Sequence, residues 1–509
     1  MKNIIKQTLL SKPLKNGMYC HIASVSVRHP FSIRFALLFI ITFIFWLLPN
    51  VSNGAQYQQV RGLIDLRSTV SDGALTIDQL AALAQERGFE VLFPTDHDRM
   101  VVSYGLPPLR NLLKRKEELN SINMYGAEKY LRAIKDAQQK YPGIIIIPGS
   151  ETAPFYYWSG NPFTGLTAND HEKRILTIGM EQPEDYREMP ILHNESTLTV
   201  DKLFGPPAFF IGAMILSMIM ISWKGSLRIV GAISTALSLI LFLNSDFLKT
   251  SPFDAYSGDQ GIAPYQLVID YVSNRGGMTF WNYPETKSGV RKLGPIQVST
   301  KPYPGVLQTS KGYTGFSAVY GDNITITEPG NLWDMTLTEY CQGYRIWPTW
   351  GIATADYHKE GEDGARLGNY PTVFWVPEKT KAAILKAMQT GKMYACQTSY
   401  PIMPRLDEFS ISSDDGKISG ISGDEISLKA YPRIRISVSI ANAKTTGPVK
   451  VRLIRAGTAV STFEGNLPLT IDHVDPHFQR GEKTYYRLDM RGAGAMIVSN
   501  PIFVTFVDR

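Results

Sequence analysis

Between Gly62 and about Pro401 short apolar runs alternate with stretches whose apolar residues recur at helical spacing. Leu63–Leu66 reads as a strand. Thr76-Ile77-Asp78-Gln79 is a capping-box pattern, in which the threonine hydroxyl and the glutamine amide satisfy each other's free backbone donors. It opens a helix through Arg87, and Gly88 closes it. Val91-Leu92-Phe93 is the next strand, Ala127–Lys140 a helix, and Ile144–Ile147 a buried strand that ends in Pro148-Gly149-Ser150-Glu151. Tyr265–Asn274 is helical, Gly277–Phe280 a strand followed by Trp281-Asn282-Tyr283-Pro284, Gly351–Thr354 a strand, and Glu378–Gly391 a helix. Strands that alternate with helices predict a parallel α/β sheet. After Pro404 helical periodicity stops. Ile434–Ile440, Val449–Arg455, Thr484–Met490 and Ile497–Phe506 alternate or run apolar between Gly, Asp, Asn and Pro turns, which predicts a small all-β, sandwich-like unit.

Three longer apolar runs stand apart. Ile33–Leu48 is nearly unbroken, and Pro207–Trp223 and Leu227–Leu243 are parted only by Lys224-Gly225-Ser226. Neither of the latter two shows a polar face at helical spacing, so a membrane hairpin is preferred over a pair of buried core helices. Lys2, Lys6, Lys12, Lys15, Arg28 and Arg34 precede the first run and hold that end in the cytoplasm; Lys224 and Arg228 place the hairpin turn on the same side. Both remaining parts of the chain then fall on the non-cytoplasmic face of a cell membrane, periplasmic or extracellular. A cleaved signal ending at Ala55 is the alternative to an anchor.

The resulting division is a cytoplasmic segment 1–32, an anchor (or signal) 33–49, a first α/β part 60–204, a transmembrane hairpin 205–245, a second α/β part 246–403, and a β unit 404–509. A chain of 509 residues has room for two or three domains. The net charge of +6 owes much to the basic residues ahead of the first apolar run, and no basic stripe with interleaved aromatics follows, so no nucleic acid is expected as a partner. Nothing in the sequence specifies a protein partner. Cys341 and Cys396 would share the oxidising side and could pair; two unpaired buried thiols are the preferred reading.

Polar residues collect where the strands end. Ile64-Asp65-Leu66-Arg67-Ser68-Thr69-Val70-Ser71-Asp72-Gly73 is followed, after one helix and one strand, by Thr95-Asp96-His97-Asp98; Ala355-Asp356-Tyr357-His358 lies far downstream. Taken singly, Asp72 before Gly73 is an ordinary turn, and His97 or His358 a solvated loop residue. Their joint recurrence at strand ends is how a barrel rim assembles a hydrolytic metal site. No Gly-x-Ser-x-Gly elbow and no Gly-x-x-x-x-Gly-Lys phosphate loop is present.

In this order and spacing the motifs resemble the PHP (polymerase and histidinol phosphatase) family over roughly Gly62 to Ala395, with the β unit resembling a domain appended to certain members. The resemblance implies a distorted (β/α)7 barrel, here interrupted by the transmembrane hairpin and followed by the all-β unit. It also implies a site for one to three divalent ions (Mn, Zn or Fe) and a small phosphorylated or anionic substrate. Carried over residue by residue, Asp72, His97 and His358 would hold one metal, while Glu151 and Asp356 match the carboxylates that serve the others.

The opening motif departs from the family pattern, because Asp65 and Arg67 stand where histidines are expected. Asp65 retains an oxygen donor for a hard cation. Arg67 cannot ligate, since its guanidinium stays protonated, but it offers a bidentate fork to phosphate or carboxylate. Tyr283 replaces another imidazole, and Arg174 stands where a histidine is expected after Glu151, with His171 and His193 as nearby substitutes. The reading favoured is a membrane-anchored, metal-dependent phosphoesterase in which Arg67, Glu151 and Asp356 act on substrate and water. The alternative is a degenerate barrel that binds an anion or a protein without catalysis.

Overall fold

The computed structural model describes residues 57–507 apart from 164, 323, 363–364, 442–446 and 478–480. The expected anchor or signal at 33–49 and the segment before it lie outside the described residues. Strand β1 (Gln58–Leu66) leads through helix α1 (Ile77–Glu86) to β2 (Val91–Pro94). The capping box forms as the sequence predicts: Thr76 Oγ1 accepts from Gln79 N at 3.2 Å and Gln79 Oε1 from Thr76 N at 2.9 Å. A β-hairpin follows, β3 (Met100–Gly105) and β4 (Lys114–Leu119), then α2 (Ala127–Lys140), β5 (Ile145–Ile146), β6 (Gly149–Thr152) and β7 (Arg174–Ile178). Beyond the apolar helices α3 (Pro206–Ile221) and α4 (Ser226–Asn244) come α5 (Ala263–Asn274), β8 (Met278–Asn282), β9 (Gly315–Val319), β10 (Trp350–Ala353), β11 (Pro371–Val376), α6 (Lys381–Thr390) and β12 (Met393–Thr398).

These strands do not form the expected (β/α)7 barrel. The chain is mixed, with strands in several separate sheets. β6, β7, β8, β9 and β10 make one five-stranded sheet, and β7 runs antiparallel to both of its neighbours. The connection from β6 to β7 is a β-hairpin excursion, Tyr157–Asn161 and Gly165–Asn169, instead of a helix. That reverses the strand direction and breaks the repeat on which a parallel α/β barrel depends.

β1, β2, β5, β11 and β12 belong instead to an eleven-stranded sheet that continues into the C-terminal region, where β12 pairs with Ala495–Ser499. The apolar positions of Val373, Tyr394 and Cys396 therefore pack in the same core as Leu488 and Ile497. The last predicted strand, Ile497–Phe506, is two: Ala495–Ser499 and Ile502–Phe506, parted at Asn500-Pro501. Pro501 has no N–H to give to a ladder. Asn500 turns its amide inward, accepting from Gly351 N at 2.7 Å and donating to Gly351 O and Met393 O at 3.0 Å each. Cys341 and Cys396 are both free thiols.

The two apolar runs form antiparallel helices close to their predicted bounds, and among the described residues α4 alone is long and apolar enough to cross a membrane. They approach closely at Gly231, where a Cβ would lie 2.7 Å from Ser217 O and 2.8 Å from Ile221 N. Ser217 Oγ and Thr235 Oγ1 share a hydrogen bond of 2.7 Å across the pair. The contact is thus made by a small residue and a part-buried hydroxyl pair.

Candidate metal and anion centre

Two isolated bridges, Leu66↔Tyr357 and His97↔Glu151, tie the ends of the two large sheets together, and the polar strand ends meet there. The register of β1 against β2 slips between Ile64 and Leu66, which leaves Asp65 at a bulge with φ of +73°. Tyr283 and Asp356 also carry left-handed backbone, at 46° and 44°. Such conformations cost free energy in residues with a Cβ and persist where the surroundings over-determine them, which happens most often at functional sites. Here they turn three side chains from different segments toward one point.

That point is Arg67. Its guanidinium is wholly buried, with Nη1 2.9 Å from Asp65 Oδ1, Nη2 2.7 Å from Glu151 Oε2 and 3.7 Å from Asp356 Oδ1, and a further bond from Nη1 to Thr95 O. Burial alone would favour its neutral form, but the charges of Asp65, Glu151 and Asp356 outweigh that and hold its pKa well above the ordinary value. Arg174 adds a second cation, 2.6 Å from Glu151 Oε2. Asn282 Nδ2 donates to Asp65 Oδ2 at 3.0 Å and to Glu151 Oε1 at 2.7 Å, and Tyr283 OH donates to Asp65. Asp65 and Glu151 are thus saturated by protein donors, and a metal bound at either oxygen pair would have to displace a buried guanidinium.

The second cluster is built differently. His97 Nδ1 faces Glu151 Oε2 at 3.2 Å, and His358 Nδ1 faces Asp356 O at 2.9 Å. An Nδ1–H donated to each acceptor leaves the Nε2 lone pairs pointing outward. Both Nε2 atoms converge on Asp72 Oδ2, at 3.2 Å and 3.3 Å. Three acceptors cannot face one another unless a proton or a cation stands between them. Protons serve that purpose in His358: burial opposes its charged form, but the hydrogen bond to Asp72 and the charge of Asp356 win and hold it up at about 9. Asp72 is held far below the usual carboxylate range, burial notwithstanding, by its bonds from His358 and His97.

The separations also suit a cation, since donors ~2.1 Å from one ion lie ~3.0–3.4 Å apart in tetrahedral or octahedral geometry. Among the described residues no group of three or more His, Cys, Asp or Glu side chains is already placed to hold a metal ion, so the trio would have to close about one. Charge agrees with a single ion. Asp65, Asp72, Glu151 and Asp356 against Arg67 and Arg174 leave two negative charges once His358 gives up its proton to a cation, and one while it keeps it. Asp72, His97 and His358 are the residues that would hold a single divalent ion, whereas Asp65 and Glu151, already engaged by Arg67, Arg174 and Asn282, do not fit a second.

Asp96, next to His97, was absent from the expected set. It accepts from Ser68 N and Oγ at 2.7 Å each and from Ser71 Oγ at 2.6 Å, so it pins the loop that presents Asp72. The serine pair in Ser68-Thr69-Val70-Ser71, with an aspartate at a strand end, is the signal in the sequence that could have found it.

A cleft of about 520 Å³ opens over the site, lined among others by Asp72, Arg174, Tyr283, Arg291, Asp356 and His358. Asp356 presents a half-exposed carboxylate there. His171 also lines the cleft, with no hydrogen bond or ion pair to the trio among the described residues; burial, then Arg174 and Arg291, push it down to about 4.

His193 lies elsewhere, in a separate pocket, with Nε2 2.9 Å from Tyr156 OH. Burial first, then Arg99, Lys114 and Lys116, lower it to about 3. A histidine depressed in the folded state favours folding above its unfolded pKa of 6.5, and that contribution is lost as pH falls toward 3. The urea midpoint should therefore fall between pH 6.5 and 4, by up to about 1.4 kcal/mol per pH unit. His193→Gln should flatten this slope, and an unchanged slope would mean that His193 is not held neutral.

No family model matches the chain, and no curated protein matches it either. Among solved structures it is similar to a two-domain protein from Bacteroides vulgatus containing a predicted PHP-like metal-dependent phosphoesterase, at 11% identity and a TM-score of 0.34, covering 85% of this chain and 90% of that one. A provisionally assigned metal-dependent phosphoesterase from Bifidobacterium adolescentis follows, at 14% identity and a TM-score of 0.27, covering 60% of this chain and 90% of that one. An amidohydrolase from Chromobacterium violaceum, with bound sulfate and no metal, has 14% identity and a TM-score of 0.26 over 60% of this chain and 90% of its own. At such scores these likenesses transfer no residue role.

Proposed function

We propose that this chain is a metal-dependent phosphoesterase that works with one divalent cation, its second metal position having been taken over by arginines. The observation that carries this reading is the convergence of His97 Nε2 and His358 Nε2 on Asp72 Oδ2, with both Nδ1 atoms already engaged. A divalent ion held there would supply Lewis acidity toward a phosphoryl oxygen and toward water. Arg174, at the cleft wall, binds the phosphate by exchanging the 3.5 Å contact of its Nη2 with Glu172 for a phosphoryl oxygen, and Arg291, paired with the same Glu172, stands at the rim. Asp356 accepts a hydrogen bond from the attacking water and orients it. As the water oxygen bonds to phosphorus the ester P–O bond breaks, and the proton given up by the water leaves with the alcohol. Glu151 does not touch substrate; it orients His97 and neutralises Arg67 and Arg174.

A second reading has its own support: Asp65 and Glu151 are saturated by protein cations and amides, which suits a centre that binds an anion without turning it over. The two separate cleanly. Full-length protein in detergent, supplied with manganese or zinc, should hydrolyse p-nitrophenyl phosphate or its diester. No turnover with any divalent ion across a panel of phosphate esters would sink the catalytic reading and leave the binding one.

A further inference from the structure

A second pocket, of about 240 Å³, shares no lining residue with the cleft over the metal trio and lies at the end of the apolar helix pair. Asn244, the last residue of α4, lines it together with Arg110, Lys114, His193 and Lys249. The β3–β4 turn is fastened to that helix end: Asn111 N donates to Asn244 Oδ1 at 3.0 Å, Asn111 Nδ2 to Asn244 O at 2.7 Å, and Asn244 Nδ2 to Pro108 O at 3.4 Å. The turn is rich in leucine, and Leu106, Leu112 and Leu113 are 51%, 42% and 55% exposed. Phe204, just ahead of α3 at the same end of the antiparallel pair, is 75% exposed.

The charge is arranged to match. Arg110 lies 4.1 Å from the centre of the Tyr256 ring, a cation–π contact that fixes its guanidinium without neutralising it. Among the described residues no carboxylate pairs with Arg110, Lys114 or Lys249, although Arg115 and Lys116 on the same strand are paired. Two carboxylates line the pocket as well, Asp246 and Asp254, the latter accepting from Tyr256 N at 3.1 Å and Ser257 Oγ at 3.2 Å, so the three cations outnumber them by one. Unpaired cations beside exposed leucines, both at the end of an apolar helix, are the chemistry of an interfacial lipid site, with acyl chains below and phosphate above.

We propose that this pocket binds the phosphate of an anionic phospholipid, and that the β3–β4 turn dips its leucines into the same leaflet. The proposal rests on reading α3 and α4 as membrane-embedded. It is independent of the chemistry at Asp72.

The test uses full-length protein, delipidated in detergent and titrated by native mass spectrometry. Dihexanoyl phosphatidylglycerol, dihexanoyl phosphatidylcholine and inorganic phosphate form separate arms. Phosphatidylglycerol should bind tightest, and Lys114→Gln and Lys249→Gln should each weaken it about 5-fold. Both lysines are exposed, so the thermal midpoint and phosphate-ester turnover should stay unchanged. Equal binding of the two lipids, or no loss in the lysine variants, overturns the headgroup site. Inorganic phosphate binding as tightly as phosphatidylglycerol overturns the lipid assignment in favour of a soluble anion. Alkaline extraction of the protein from vesicles separates the premises. Release into the supernatant means that the membrane reading has failed and the site with it, whereas retention without a phosphatidylglycerol preference sinks the site alone.

Discussion

Arg67→Met should destabilise the full-length protein by about 3–5 kcal/mol, read as a fall in the denaturation midpoint at neutral pH, because removing one partner of a buried ion pair strands the other. Arg67, Asp65 and Glu151 are 0%, 0% and 1% exposed, so bulk water does not screen the two carboxylates that the guanidinium joins. Arg174 and Asn282 still serve Glu151 after the substitution, so the stranded charge is chiefly that of Asp65. Adding Asp65→Asn should recover much of the loss, a coupling that a double-mutant cycle measures directly. A cost below about 1 kcal/mol, the range of an exposed pair, would show that Arg67 is not the counter-charge on which the centre is built.

The second large effect concerns the cation. Asp72→Asn keeps the shape of the loop, which Asp96 pins through Ser68 and Ser71, but removes the charged oxygen on which both imidazoles converge. Manganese affinity by calorimetry should fall by more than ~100-fold, since partners that merely orient a ligand already cost 10–100-fold. Turnover should fall with it. Glu151→Gln should sit in that lower range, because it loses only the charge behind His97 Nδ1. Equal losses in the two variants would place Glu151 on the cation and overturn the assignment of roles.

The sequence carries the parts of this fold that depend on local pattern. The capping box at Thr76 and the amphipathic stripe of Ala127–Lys140 each depend on residues within one helix, and both elements form where predicted. The apolar runs near 207–243 form helices because nothing in them favours another state. Strand direction is not local. Arg174–Ile178 has the same apolar alternation whether it runs parallel or antiparallel to Gly149–Thr152, and only the hairpin between them decides, so the inferred barrel fails there. Continuity of the large sheet from Met393–Thr398 into Ala495–Ser499 joins residues about a hundred positions apart, beyond any window of periodicity.

The site divides in the same way. Asp72, His97 and His358 lie side by side where the strands end, and Arg67 meets carboxylate as its chemistry requires. What the spacing could not show is that Arg174 and Asn282 also converge on Glu151, from strands that become neighbours only in the folded sheet. For the same reason His193 gave no sign that it belongs to a different pocket.

The central claim is that arginines have replaced all but one metal. The most direct test is the metal content of full-length protein purified without chelator, measured by inductively coupled plasma mass spectrometry against amino-acid analysis. One divalent ion per chain, absent from Asp72→Asn and retained in Lys114→Gln, is the predicted result; two or more ions per chain, or none after saturation with manganese and zinc, would contradict it.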